Sequence, residues 1–231
     1  MIIIGHRGAS GHAPENTLAA FRLAEEMGCA WVELDVHHLE DELLVIHDDI
    51  VDRTTSGTGS LTDLGLAKVR QLDAGSGERV PTLKEVLDLL AGRVSINIEL
   101  KGPGTAEPVS ALLLHQCQAG PWQPDHFLLS SFNHRELAKA DHAFARGVLW
   151  GKSHPDMIPR TLDLNGQWMN IALRNTHEAL VEAAHQAGLK VAVYTVNEPD
   201  HLLALADMGV DAVFSDYPDR GFDAGFSATN S

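Results

Sequence analysis

The chain is poor in cysteine and in cations and has no long apolar run, and each scarcity removes a class of protein. Only two cysteines, Cys29 and Cys117, occur in 231 residues. They form no CxxC pair and no zinc-ligand spacing, so a disulfide framework, a thiolate zinc site and a redox dithiol are excluded. Each is expected to be a buried free thiol in an apolar helical setting. Lysine and arginine total 17 against 32 Asp and Glu, a formal net charge of −15. A field of that sign repels nucleic acid and anionic lipid, and neither is an expected partner. No stretch approaches the ~18 apolar residues of a membrane span. The N-terminus opens directly on Ile2-Ile3-Ile4, with no basic segment or small-residue cleavage site, so the cytoplasm is the expected compartment. Linkers, low-complexity tracts and short repeats are missing as well, and no signal bears on oligomeric state.

What is present is ordinary globular composition, 44% hydrophobic and 21% charged, arranged in a regular alternation. Short apolar runs read as strands at Ile2–Ile4, Trp31–Val36, Val94–Glu99, Phe127–Ser130, Gly147–Leu149, Trp168–Ile171, Val191–Tyr194 and Ala212–Phe214. Helical patterns lie between them, at Thr17–Met27, Thr82–Leu90, Ala106–Gln118, His134–Ala140, Asp156–Asp163, His177–Ala187 and Pro199–Met208. Asn16 is placed to cap the first helix, and Gly28 to stop it. Strand–helix alternation implies parallel pairing. Eight such units in a chain near the ~250 residues of a (β/α)8 barrel favour that fold over an open doubly wound sheet. The class is therefore α/β, a (β/α)8 TIM barrel over residues 1–220, followed by a flexible tail from Gly221 to Ser231. The alternation breaks after the second strand. An insertion over roughly His37–Pro81 carries one further strand-like run, Leu43–Ile46, and a Gly/Ser/Thr-rich loop, Thr54–Thr62.

Active sites of such barrels lie at the carboxyl ends of the strands, and ionisable residues gather there. His6-Arg7 follows the first strand. Glu33 and Asp35 close the second at i and i+2, pointing to the same side of it. Glu99 and Lys101 close the third with the same spacing. Three carboxylates from adjacent strand ends can converge, and an oxygen-only set suits Mg2+ or Ca2+, with Mn2+ also open. Taken singly, each of these residues is an ordinary solvated or ion-paired side chain; their joint placement is the signal. His47-Asp48 ends the extra run inside the insertion, which can fold over the barrel mouth and bring that imidazole opposite His6. Two histidines flanking a phosphate, one base and one acid, suit diester cleavage at neutral pH. His37-His38 are expected to be bystanders.

These residues fall in a pattern that resembles the glycerophosphodiester phosphodiesterase family. The pattern runs His6-Arg7-Gly8-Ala9, Pro14-Glu15-Asn16-Thr17, Glu33-Leu34-Asp35-Val36, His47-Asp48, Arg53-Thr54-Thr55, Gly57-Thr58-Gly59 and Ile98-Glu99-Leu100-Lys101. Ser130-Ser131-Phe132, Tyr194-Thr195-Val196-Asn197 and Ser215-Asp216-Tyr217-Pro218 continue it. Tyr194 stands where the family commonly has Trp, and Ser215 where Thr is frequent. The resemblance implies hydrolysis of a small-molecule glycerophosphodiester to an alcohol and glycerol 3-phosphate. It implies Glu33, Asp35 and Glu99 as ligands of one divalent cation and His6 and His47 as the acid–base pair. Arg7 and Lys101 would face the phosphate, and Glu15 would stand behind them; a bland reading of Glu15, an acid favoured by a helix N-terminus, is nearly as good. Rival readings are a barrel lyase stopping at a cyclic phosphate and a non-catalytic module of the same fold. A Schiff-base aldolase is disfavoured, because Lys190 begins a strand instead of ending one.

Overall fold

In the computed structural model, which describes residues 1–226, eight parallel strands close into a barrel. They are β1 (Ile2–Gly5), β2 (Trp31–Leu39), β4 (Ser95–Leu100), β5 (Phe127–Ser131), β6 (Ala145–Trp150), β7 (Trp168–Ala172), β8 (Lys190–Tyr194) and β9 (Ala212–Ser215). Closure comes from β1, which pairs with β9 on one side and β2 on the other. The remaining strand, β3 (Glu42–Val45), lies outside the barrel and runs antiparallel to the end of β2. All eight expected barrel strands are present, seven within two residues of their expected bounds; β2 runs three residues further, to Leu39.

Ten helices accompany them: α1 (Leu18–Glu26), α2 (Leu61–Leu64), α3 (Leu66–Val69), α4 (Leu83–Leu90), α5 (Ala106–Ala119), α6 (His134–Leu137), α7 (Met157–Asp163), α8 (Glu178–Gln186), α9 (Pro199–Asp207) and α10 (Pro218–Asp223), counted among the described residues. α4 shows how sequence makes them. Thr82 and Glu85 form a reciprocal capping box, satisfying two free first-turn amides. Leu83, Val86, Leu87 and Leu90 then recur at helical spacing and are all buried, each contributing about 1.5–3 kcal/mol by leaving water. α2 and α3 were not expected, since each spans a single turn and offers no period to read.

Alternation along the strands sorts two environments. Val32, Leu34 and Val36 of β2 and Ile96, Ile98 and Leu100 of β4 face outward into the main core under the helices. The inward residues become charged toward the mouth, as in Trp31, Glu33, Asp35 along β2 and Ser95, Asn97, Glu99 along β4. Ile4, Ala192, Ala212 and Phe214 fill the barrel interior as a small separate cluster. The insertion has its own core of Leu39, Leu44, Ile46, Val51, Leu61, Val69, Leu72 and Val80, distinct from both.

Four sequence expectations need correction. Thr17, not Asn16, caps α1 through its hydroxyl, which accepts from the Ala20 amide. Asn16 sits at φ 57 with its side chain turned into the barrel mouth. Cys29 is buried but lies in the turn between α1 and β2, while Cys117 on α5 is only half-buried. Chain beyond Gly221 is not simply a tail either: Gly221 is buried against Ile3, and Phe222 and Phe226 pack on the main core. The rest of that expected tail, residues 227–231, lies outside the described residues.

The β1–α1 loop is tight enough to test. Gly8 has φ +81, and an added Cβ would stand 2.6 Å from the Ala20 backbone. Gly8→Ala is expected to cost about 2 kcal/mol or more through left-handed strain and this clash. Thermal unfolding beside the parent protein measures it; an unchanged midpoint would show that the loop can rearrange freely.

Candidate active site

Barrel closure places the ends of β1, β2, β4 and β9 side by side, and the acids meet there. In the β2–β4 ladder Asp35 pairs with Glu99 and Glu33 with Asn97. One oxygen from each of Glu33, Asp35 and Glu99 lies within 4.8 Å of the others. Glu33 accepts from the Arg7 amide at 2.9 Å. Asp35 Oδ2 accepts from Asn16 Nδ2 at 2.9 Å, whereas buried Oδ1 has no hydrogen-bond partner. Glu99 Oε1 accepts from Lys101 Nζ at 2.8 Å.

Three clustered acids in a dry place are costly, and their proton affinities record it. Burial, with the charge of Asp35 beside it, pushes Glu33 well above the usual carboxylate range. Burial and Asp35 also push Glu99 up to about 7. Burial acts on Asp35 in the same sense, but Arg7 and Lys101 outweigh it and hold its carboxyl low. Their ion pairs to Asp35 are 3.3 Å from Arg7 Nε and 3.6 Å from Lys101 Nζ. A crowded, oxygen-only set with one orphaned carboxylate oxygen fits a hard divalent cation.

Two histidines flank the triad, each backed by a carboxylate. His6 Nδ1 donates to Asp216 Oδ1 at 2.7 Å, leaving Nε2 turned inward, 3.9 Å from Glu33. Asp216 is held by Ser10 Oγ and Asn197 Nδ2 at 2.9 and 2.7 Å. Burial works against its charge, but the bonds from His6 and these neighbours prevail and hold Asp216 down at about 2. His47 repeats the design on the opposite side. Its Nδ1 lies 2.5 Å from Asp48 Oδ1, and its Nε2 is 3.1 Å from Lys101 Nζ. Burial, reinforced by Arg7 and Lys101, lowers the His47 pKa.

His6, Arg7, Glu33, His47 and Glu99 line a cavity of about 200 Å³ whose other walls are Asn97, Phe132, Leu149, Tyr194 and Phe214. Three expected residues do not line this cavity: Asp35 lies behind it within the acid triad, Glu15 is bonded to Arg7, and Lys101 faces a wider cleft of about 600 Å³ on the insertion side, which His47 borders as well. His37 Nε2 lies 3.0 Å from the His47 carbonyl. His38 is exposed. Missed altogether were the partners: Asp216 behind His6, Asp48 behind His47 and Asn16 behind Asp35. Asp216 was findable, since it follows β9, and a closed barrel must set β9 against β1.

Barrel, insertion and a mouth crowded with paired acids and histidines together define an enzyme suited to acid–base chemistry on a charged substrate. Residues 6–220 match the Glycerophosphoryl diester phosphodiesterase family, and the chain belongs to it. It is 33% identical over 236 residues to a glycerophosphodiester phosphodiesterase of Caldanaerobacter subterraneus subsp. tengcongensis, spanning 94% of this chain and 95% of that protein. To one of Bacillus altitudinis it is 34% identical over 239 residues, spanning 94% and 95%. The phosphodiesterase of Oleispira antarctica, solved with its product sn-glycerol-3-phosphate, matches at TM-score 0.89 and 35% identity, over 97% of this chain and 96% of that one.

The proton affinity of Glu99 carries a stability test. A carboxyl whose folded pKa is raised binds its proton more tightly when folded, so its penalty grows with pH between its ordinary value and about 7. In EDTA, Glu99→Gln should unfold at a higher temperature than the parent at pH 8, with the gap closing as pH falls to 4.5. A gap independent of pH would mean that Glu99 does not titrate there.

Proposed function

We propose that the protein hydrolyses glycerophosphodiesters to an alcohol and sn-glycerol 3-phosphate, using one divalent cation and the His6/His47 pair. The observation that carries this reading is the pair itself: two imidazoles lining one cavity beside the acid triad, each tied at Nδ1 to a carboxylate. Membership of the family and the product complex of the Oleispira antarctica relative support the substrate class. A small molecule suits a cavity of this size, and the two free cysteines suit a reducing cytoplasm.

Glu33, Asp35 and Glu99 would hold the cation, Mg2+, Ca2+ or Mn2+ by their oxygen chemistry. Bound there, it would supply positive charge for the phosphate oxygens as negative charge builds on them. Arg7, whose guanidinium lines the cavity, adds further positive charge on the phosphate, and Lys101 reaches the reacting groups through His47 and Glu99. His6, with Nδ1–H committed to Asp216, has Nε2 available as the general base. It takes the proton of the substrate's glycerol 2-hydroxyl, whose oxygen attacks phosphorus. His47 delivers a proton to the departing alcohol oxygen as that bond breaks. Water then opens the cyclic phosphate in the reverse sense, giving its proton to His47 while His6 returns one to the 2-oxygen. The hydroxyl side chains that line the cavity are Ser130, Tyr194 and Thr195, and none has a histidine partner among the described hydrogen bonds.

Incubation with glycerophosphocholine, glycerophosphoethanolamine and glycerophosphoglycerol, with and without EDTA, should release glycerol 3-phosphate only without the chelator. His6→Ala and His47→Ala should each lower kcat by about 10²–10⁴-fold. A substrate with propane-1,3-diol in place of glycerol should bind comparably and turn over at least ~10²-fold more slowly, having lost the held nucleophile. Normal turnover of that analogue would make water the attacking group.

A further inference from the structure

Leu43 and Val45 of β3 root the insertion that carries His47 in the barrel's main core, but the rest of it packs on a separate apolar core. Beyond β3 the two parts also meet through polar contacts, and one side chain bridges several of them. Arg53 ends a short turn, Val51–Arg53, whose Val51 is fully buried in the insertion core, so the turn is a rigid base. From there the guanidinium reaches two carboxylates at once. Its Nη1 and Nη2 donate to the two oxygens of Glu15 at 2.7 and 2.8 Å, a forked pair. Its Nε donates to Asp48 Oδ2 at 2.6 Å. Glu15 belongs to the barrel's β1–α1 loop and also accepts from Arg7 at 2.7 Å. Asp48 holds His47 Nδ1 through its other oxygen. An unbroken chain, Asp35–Arg7–Glu15–Arg53–Asp48–His47, thus joins the acid triad to the imidazole across the seam between barrel and insertion.

We infer that Arg53 is a positioning residue for His47, fixing Asp48 against the barrel so that the imidazole is aimed at the leaving oxygen. The inference rests on the reading of His47 as the general acid. Arg53 touches neither the triad nor the cavity lining, so its effect passes through Asp48 and Glu15. Its side chain is 49% exposed, and ion pairs so placed add little to folding, about 0–1 kcal/mol. Stability and turnover should therefore separate. A lysine cannot copy the role, since one ammonium has no fork with which to bridge both carboxylates.

Steady-state kinetics of Arg53→Ala, Arg53→Lys, His47→Ala and the Arg53→Ala/His47→Ala double variant test this on two substrates. One is glycerophosphocholine, whose poor leaving group needs a proton; the other is the p-nitrophenyl ester of glycerol 3-phosphate, which does not. Arg53→Ala should lower kcat on glycerophosphocholine by about 10–100-fold, the range for removing the support of a site residue, with KM and the unfolding midpoint nearly unchanged. Arg53→Lys should recover only part of that loss. In a single turnover the p-nitrophenyl ester should release p-nitrophenolate at the parental rate, since only the later ring opening needs His47, and Arg53→Ala should add nothing to the glycerophosphocholine loss once His47 is gone. Equal losses on both substrates, or a full additional loss in the His47→Ala background, would overturn the inference, as would parental kcat for Arg53→Ala beside an impaired His47→Ala. A fully active His47→Ala would instead remove the general-acid reading, and the inference with it.

Discussion

Burial of three carboxylates in one small space is the constraint to which the rest of the mouth answers. Glu33, Asp35 and Glu99 are set together by β2 and β4 pairing, which puts Asp35 directly across from Glu99. Left alone, such a cluster would protonate or push the strands apart, because like charges out of water repel strongly. The chain surrounds it with donors from four places: the Arg7 amide and guanidinium, the Asn16 amide and the Lys101 ammonium. Even so, Asp35 Oδ1 stays without a hydrogen bond and Glu33 leans toward its protonated form. Local stability is surrendered at the place where a cation would restore it, the usual relation between an active site and its fold.

Two-sidedness follows from the topology. His6 comes from the barrel proper, one residue past β1, and is oriented by Asp216 one residue past β9. His47 comes from outside the ring of barrel strands. It is brought by the β2–β3 hairpin, whose last amide, Ile46 N, bonds the Asp35 carbonyl at 3.0 Å. A separate apolar core firms most of the insertion, Leu43 and Val45 anchor its hairpin in the main core, and directional polar contacts complete the junction with the barrel. Such contacts set orientation more sharply than they add stability.

The electrostatics of the whole molecule run against its chemistry. A chain of net charge −15 must admit an anionic phosphodiester, and it does so with positive charge concentrated at one place. Arg7, Arg53 and Lys101 stand within a few residues of the triad. In a partly dry cavity nearby charges outweigh distant, salt-screened ones; Arg7 and Lys101 offset part of the triad's charge, and a bound cation would neutralise the rest.

The barrel was legible because its evidence is local and repeated. Apolar runs bounded by turns and helices at spacing 3.6 marked each strand and crossover, and the i, i+2 pairs Glu33/Asp35 and Glu99/Lys101 each fall on one side of their strand. Residue types at strand ends, with their order along the chain, determined the triad, His6, His47 and the existence of the insertion. Tertiary structure alone decided which partners meet. Asp216 lies 210 residues from His6 in sequence, and only closure of the ring brings them together. Asn16 has the residue type of a helix cap, but the Thr17 hydroxyl takes that place and Asn16 donates to Asp35. Arg53 stood in the family-like pattern with no partner assigned, since its bonds to Glu15 and Asp48 form only where the insertion meets the barrel, and hydrogen bonds across that seam have no sequence period.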